Sequence, residues 1–186
     1  MICISLKVRF WEVFVADSVD LTMLRRGIEI WNQWREQHPI TKPNLAHANL
    51  YGANLSKINF DGVNLCEADL RKAKLMHAHL MGAQLTEARL AETNLTDANL
   101  TAVDLSAVDL SHACLHHVDL TFADLSQADL SYADLSQADL FGAILENANL
   151  AGANLTETNL IKARYNRQTI WPDNFDPEAA GAELVD

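Results

Sequence analysis

The chain has 186 residues and a net charge of −11 at neutral pH, which is the size of one domain or of one domain with short additional segments. It contains no run of 18 apolar residues, so the sequence predicts no membrane span. Lys7, Arg9 and Glu12 interrupt the apolar N-terminus, which excludes a typical signal peptide. Three cysteines, an odd number, favour a reducing compartment, and we expect a cytoplasmic protein.

Residues 1–16 form a strand-like segment. Ile4, Leu6, Val8 and Phe10 alternate with polar residues, which is the two-residue period of a strand. Three placements remain open for this segment: against the first turn of the repeat described below, paired with another chain, or as a poorly ordered leader.

Residues 17–42 contain an amphipathic helix, predicted over 20–37. Leu21, Leu24, Ile28 and Trp31 recur at helical spacing on one face, and Ser18 or Asp20 is a suitable N-cap. Pro39 and Pro43 end the helix. Because the first turn of a repetitive structure exposes unpaired strand edges, we expect this helix to cover that end.

Residues 43–165 repeat with a period of five. Of the 24 positions from 45 to 160 in steps of five, 23 are Leu and one is Phe60, and Tyr165 closes the series. The residue two before each of these centres is mostly Ala, and the residue one before is Asn or Asp at 18 of the 24. Neither a helix, with a period of 3.6, nor a strand, with a period of 2, fits this pattern.

A period of five fits a chain that turns a corner every five residues. The Leu centre and the small residue two before it then point inward, and four sides close a coil of 20 residues that stacks on the next at about 4.8 Å. Five of the seven glycines lie two residues after a centre, where a type II turn needs a positive φ.

The repeat A-(D/N)-L-X-X, seen without deviation in residues 123–130 (ADLSQADL), closely resembles the pentapeptide repeat family. The proteins most similar in helix and repeat are bacterial and often cyanobacterial. The resemblance implies an all-β solenoid, a right-handed quadrilateral β-helix of about six coils. With its ends, the expected protein has an N-terminal helical cap and an irregular or short helical C-terminal cap.

Residues 166–186 form the expected C-terminal cap, with the leucine register lost after Tyr165 and a short helix over 178–185. Phe141 and Ile161 are outward positions one coil apart, and Ile144 replaces the usual Asn or Asp. The tail residues Trp171 and Phe175 would cover such an apolar patch. The alternative is a homodimer interface near this end.

Residues 20 apart stack, so surface columns can be read from the sequence. The columns His77-Asp97-His117, His47-Glu67-Glu87 and Glu92-His112-Tyr132 bring ionisable side chains together. The outer histidines of the first column lie about 10 Å apart, too far to share one metal ion. The sequence shows no phosphate-binding loop, nucleophile elbow or CxxC motif, and its carboxylates are evenly spaced instead of paired. We therefore expect no enzyme activity, no cofactor and no metal.

The negative charge is concentrated in one part of the repeat. Residues 90–161 hold 11 Asp and Glu and no Lys or Arg, whereas residues 1–89 have a net charge of +2. Two explanations remain open. In the first, Asp serves the corner by bonding nearby backbone and adds solubility. In the second, a narrow rod with regular negative charge imitates a DNA duplex; some pentapeptide repeat proteins are DNA mimics that bind DNA gyrase.

Two functional hypotheses follow. The first is a non-enzymatic scaffold that binds a protein partner, with no direct binding of nucleic acid or membrane. Its candidate apolar contact surface consists of Phe122, Tyr132, Phe141, Ile144 and Ile161. The second is a gyrase-binding DNA mimic that uses an acidic face formed by Asp104, Asp109, Asp119, Asp124, Asp129, Asp134 and Asp139.

Overall fold

The computed structural model describes residues 19–185. The strand-like segment predicted for residues 1–16 lies outside these residues, as does the candidate cap Ser18. The described chain has helices α1, Val19–Leu24, and α2, Ile28–Gln37, then a long repetitive region, and strands β1, Arg164–Tyr165, and β2, Glu183–Leu184.

Two helices stand where the sequence predicted one. The break lies at Gly27, whose φ of 114° is outside the helical region and open mainly to glycine. The predicted apolar face nevertheless packs inward, because Leu21, Leu24 and Trp31 are all buried. Asp20 lies within α1 instead of capping it, and its Oδ2 accepts the Asn44 amide at 2.8 Å.

The repetitive region is a parallel ladder whose strands are single residues. The Leu45 amide donates to the Asn64 carbonyl at 2.8 Å, and the Asn64 amide donates to the Pro43 carbonyl at 2.9 Å. Equivalent parallel bridges join residues 20 apart from Asn44↔Asn64 through Ile144↔Arg164. Each coil therefore has four sides of five residues, as the period predicted.

We number the sides 1 to 4 by their first centres, Leu45, Leu50, Leu55 and Phe60. Each side recurs every 20 residues, and corner 1 follows side 1, corner 2 side 2, and so on. The centres and the small residues two before them are mostly buried; Leu65, Ala68 and Phe60, for example, are 0% exposed. The predicted inward pair is thus confirmed, and it fills the interior of the coil.

Every corner uses a left-handed residue. At the first corner the carbonyl of Leu45 accepts the amide of Ala48 at 3.1 Å. The third residue of this four-residue turn, His47, has a φ of 59°. All 24 corners share this geometry, with φ between 54° and 69°, and only five of them carry glycine. The glycines therefore mark a requirement of every corner and not of one, and the other residues accept about 1–2 kcal/mol of strain each.

Helix α2 lies against side 4 of the first coil. The Trp31 ring meets the Phe60 ring edge-on, with centroids 5.6 Å apart, and its Nε1 donates to the Asn59 carbonyl at 2.7 Å. Arg35 donates to the Asp61 carbonyl at 2.5 Å. One coil later, the equivalent carbonyls of His79 and Met81 accept the backbone amides of Phe60 and Gly62 from the preceding coil. Within the part of the chain that the structure describes, no coil precedes the first, so its two carbonyls bond to the helix instead. Side chains of α2 thus replace a missing coil at this edge.

The ladder continues past Tyr165 although the leucine register does not. The Leu150 amide donates to the Ile170 carbonyl at 2.7 Å, and β1 pairs in parallel with β2. The short helix expected over 178–185 is not formed. Gly181, with a φ of 91°, ends a turn at 177–181, and the amides of Glu183 and Val185 donate to the carbonyls of Ala163 and Tyr165.

The C-terminal aromatic residues pack against the last coil and one another. The Trp171 ring meets the Tyr165 ring edge-on, with centroids 5.4 Å apart, and stacks on the Phe175 ring, with centroids 5.3 Å apart. Both Trp171 and Phe175 are partly buried against the core. The sequence placed them over Phe141 and Ile161, but Ile161 remains 54% exposed.

Candidate interaction surface

The seven aspartates predicted to form an acidic face lie on all four sides of the rod. Their columns are paired by backbone bridges, Asp104↔Asp124 on side 1, Asp109↔Asp129 on side 2 and Asp119↔Asp139 on side 4, with Asp134 alone on side 3. The structure therefore shows an acidic band around the rod instead of one face. The reason is that the outward position before each centre recurs on every side.

Each of these aspartates holds its own corner. In all seven, Oδ1 accepts the backbone amide of the residue two positions on, at 2.9–3.1 Å. Asn44 and Asn49 make the same bond. This is the Asx turn expected from the local explanation of the aspartates, and it explains why Asn and Asp alternate freely at this position.

Hydrogen bonds lower the pKa of two of the aspartates. The Ser136 hydroxyl donates to Asp134 at 2.6 Å and lowers the pKa of Asp134; partial burial opposes this, and the Ser136 amide and Asn154 reinforce it. Partial burial raises the pKa of Asp119, but hydrogen bonds from Thr121 and Thr101 outweigh it, so the net pKa is lowered.

Toward the C-terminus asparagine closes the aspartate columns of sides 2 and 4 and also follows the single Asp134 of side 3. The side-chain amides of Asn149, Asn154 and Asn159 donate to the aspartates one coil before them. Stacked carboxylates repel one another, so an amide donor at the end of a column stabilises the last carboxylate of that column.

The predicted apolar surface divides between two corners. Phe122 and Phe141 lie at corner 4 with their ring centroids 5.5 Å apart. Ile161 is one coil beyond Phe141 in the same corner, and Ile144 is the next outward residue after that corner, on side 1. Tyr132 lies at corner 2, diagonally across the rod, and is not part of this group.

The exposed rings at both corners rest on glycines. A Cβ added to Gly142 would lie 2.6 Å from the Phe122 ring, and one added to Gly152 would lie 2.7 Å from the Tyr132 ring. Tyr132 also stacks on His112, with centroids 5.2 Å apart. Each aromatic residue therefore covers the glycine of the next coil.

The ionisable columns are open surface ladders. Asp97 lies 3.6 Å from His77 Nδ1 and 3.4 Å from His117 Nδ1, and His47 lies 3.1 Å from Glu67. Within residues 19–185 no group of three or more His, Cys, Asp or Glu side chains is arranged to hold a metal ion. The first two columns are thus close contacts between exposed histidine and carboxylate side chains.

The two described cysteines are free. Cys66 lies at corner 1 and Cys114 on side 3, on opposite parts of the coil. The helices of the described region are all too short or too polar to cross a membrane.

The sequence predicted Trp31 against the end of the repeat but did not single out Asn32 and Arg35, which also hold the first coil. Trp31, Asn32 and Arg35 satisfy backbone groups of residues 57–61. Arg35 is only 5% exposed; burial lowers its pKa, and Asp61 and Asp20 oppose that effect. One feature of the sequence indicated this role of Arg35. It lies four residues after Trp31, on the apolar face of the helix, where a charged side chain is unusual.

The chain matches the family model of pentapeptide repeats in eight copies, over residues 44–82, 83–121, 115–147 and 133–164. No curated protein matches it. HetL from the cyanobacterium Nostoc sp. strain PCC 7120, a pentapeptide repeat protein involved in heterocyst differentiation regulation, is 30% identical; the match covers 76% of this chain and 68% of HetL, with a TM-score of 0.55.

Two further solved structures are similar. The pentapeptide repeat protein alr5209 from Nostoc PCC 7120 is 32% identical over 83% of this chain and 94% of its own, with a TM-score of 0.42. QnrB1, a plasmid-mediated fluoroquinolone resistance protein, is 12% identical over 77% of this chain and 90% of its own, with a TM-score of 0.54. At that identity the likeness to QnrB1 is one of fold.

Proposed function

Because this chain belongs to the pentapeptide repeat family, we propose that it is a non-enzymatic scaffold that binds a protein partner through its outer surface. Proteins of this family fold as right-handed quadrilateral β-helices and are generally structural or interaction proteins. One observation carries the proposal. Leu and Ala fill the interior of the described coils, so a partner has access only to the regular columns outside.

The same proposal includes the ends of the rod. About six coils of 20 residues are closed by α1 and α2 at one end and by residues 166–185 at the other. Support comes from the backbone carbonyls of Asn59 and Asp61, which bond to α2. The alternative for the C-terminal end is a second copy of the chain, joined near β2, where Leu184 is 45% exposed. Sedimentation equilibrium distinguishes the two.

The scaffold is tested by capture of partners from a lysate of the source organism on the immobilised protein, at about 50 and 500 mM salt, where the Debye lengths are roughly 14 and 4 Å. The matched control has Asn in place of the seven aspartates, since Asn makes the same turn. We expect a protein that both versions retain at high salt. Failure to capture any protein with either version would contradict the scaffold.

The acidic band supports a second candidate, a DNA mimic directed at DNA gyrase. Its charge is regular along the rod and every aspartate is at least partly exposed, as a basic groove requires. The test adds wild-type protein or the seven-Asn variant to a gyrase supercoiling assay. Inhibition by the wild type alone would make mimicry the leading account. If neither version inhibits at micromolar concentration, the aspartates serve the turns and solubility.

A further inference from the structure

Corner 4 differs from the other three corners in composition. Over four successive coils its outward residues, at 81–82, 101–102, 121–122 and 141–142, include no charged residue and no histidine. Over the corresponding stretches each of the other corners has at least one, such as Glu87 at corner 1, Glu92 at corner 2 and Asp97 at corner 3. We call these eight residues the corner-4 ridge.

The ridge carries an exposed aromatic residue in an unfavourable backbone conformation. Phe122 is 58% exposed and, like the second residue of every corner, has a φ in the left-handed region, at 58°. Here the Phe122 ring is held between Gly142 below it and the edge of Phe141. A partner would meet an aromatic side chain that is already ordered.

Small side chains separate the two exposed large apolar residues of the ridge, Met81 and Phe122. Met81 is 52% exposed and stands two coils before Phe122, about 10 Å along the rod. Between them corner 4 holds only Thr101 and Ala102. Small residues between two large exposed ones leave room for one large side chain of a partner.

Carboxylates flank the ridge on both sides. Asp119 and Asp139 precede it on side 4, and Asp104 and Asp124 follow it on side 1. Each is held by its own Asx bond, so the carboxylate rows on both sides of the ridge are ordered. An apolar centre with a charged rim is the usual anatomy of a protein interface, and charge of one sign selects a partner of the other.

On the basis of the proposed scaffold function, we propose that the corner-4 ridge binds a protein segment with an apolar stripe bordered by Lys or Arg. The stripe covers Phe122 and inserts a side chain over Ala102; the half-buried Phe141 ring, which has the Lys162 ammonium 5.5 Å from its centroid, forms the edge of this surface. The basic residues pair with the aspartates of sides 4 and 1. The charge complementarity and the uncharged ridge distinguish this occupant from an acidic or purely polar partner.

The probe is a fluorescent 14-residue peptide of Leu and Lys at helical spacing, with a Leu/Glu and a Ser/Lys peptide as controls, measured by fluorescence anisotropy with the full chain. The informative variant is Phe122→Gln, because Gln127 and Gln137 already occupy such corners at φ of 60° and 59°. Its matched control is Tyr132→Gln at corner 2. The charge variant Asp119→Asn with Asp124→Asn is matched by Asp129→Asn with Asp134→Asn, which flank Tyr132.

We expect the Leu/Lys peptide to bind and the other two peptides to bind at least about tenfold more weakly. Phe122→Gln should weaken binding about tenfold or more, as loss of an interface hot spot does, and the Asp119/Asp124 variant should weaken it several-fold. Both corner-2 controls should change it less than about twofold, because single exposed residues outside the interface contribute little.

The proposal is overturned if the Leu/Lys peptide does not bind saturably, or if the corner-2 controls weaken it as much as the corner-4 variants. It is also overturned if the wild type self-associates in sedimentation and Phe122→Gln abolishes this, because the occupant is then a second copy. The scaffold can survive each of these results. A lysate partner still retained by Phe122→Gln would support the scaffold and refute the ridge.

Discussion

The glycine of one coil determines where the aromatic residue of the preceding coil can lie, and this gives a quantitative prediction. Gly82 and Gly142 both occupy corner 4, with φ of 66° and 65°. A Cβ at Gly82 meets nothing within 4 Å, whereas one at Gly142 would lie 2.6 Å from the Phe122 ring. Substitution by Ala therefore adds the same backbone strain at both sites but a clash only at Gly142.

The magnitudes follow from the contacts. Ala in the left-handed region costs about 1 kcal/mol, and Ala102 shows that corner 4 accepts it at a φ of 54°. At Gly142 the Phe122 ring must also leave its rotamer, about 0.5–1.5 kcal/mol, and lose part of its edge contact with Phe141, about 0.5–1.5 kcal/mol. We expect Gly82→Ala to destabilise by about 1 kcal/mol and Gly142→Ala by about 2–4 kcal/mol.

Thermal and urea unfolding would measure both variants. For a chain of this length each kcal/mol shifts Tm by about 2–4 °C, so Gly142→Ala should lower Tm by about 4–16 °C and Gly82→Ala by about 2–4 °C. The decisive control is a double-mutant cycle. In a Phe122→Gln background Gly142→Ala should cost only about 1 kcal/mol, because Gln127 already precedes a residue with a Cβ, Asn147, one coil on. Equal effects at the two glycines, or no coupling to Phe122, would refute the reasoning.

Two other predictions test the first coil and the aspartates. Trp31→Ala should destabilise by about 3–5 kcal/mol in urea unfolding, because it empties a fully buried site against Phe60; Trp31→Phe should recover part of this but leave the Asn59 carbonyl without its donor, at about 1–3 kcal/mol. A loss below about 1 kcal/mol for Trp31→Ala would contradict its role at the edge. The pKa of Asp119 and that of Asp134 are lower in the folded than in the unfolded protein, so ionisation of both groups stabilises the fold. This stabilisation is present above the unfolded pKa of about 3.9 and is lost as pH falls through the lower, folded pKa. Tm measured from pH 7 to pH 2 should therefore fall below about pH 4, and Asn at both positions should make that fall smaller; an unchanged acid limb would refute the assignment.

The repetitive part of the fold was predictable because its cause is local and recurs. Leu and Ala in a period of five determine which residues point inward, and the 20-residue coil follows from four corners. The pairing of Asp104 with Asp124 was predicted from the same spacing and is seen in the ladder. The local role of the aspartates was also one of the two explanations that the sequence left open.

The candidate site was only partly predictable. Phe122, Phe141, Ile144 and Ile161 come together as their register implies, but the same register places Tyr132 on the opposite corner, and the aspartates occupy four sides instead of one face. The contact of Phe122 with Gly142 depends on the orientation of a ring across two coils, for which the five-residue pattern carries no signal.

The sequence by itself determined the coil, its core and its outward columns. Each five-residue repeat has the same inward and outward positions, and the next coil has them again 20 residues later. Only the tertiary structure decided the ends. The break at Gly27, the bonds of Trp31 and Arg35 to the first coil, and the pairing of β2 with β1 each occur once. Unique contacts of this kind depend on which backbone groups are left unpaired at an edge, and that is known only when the coils are assembled.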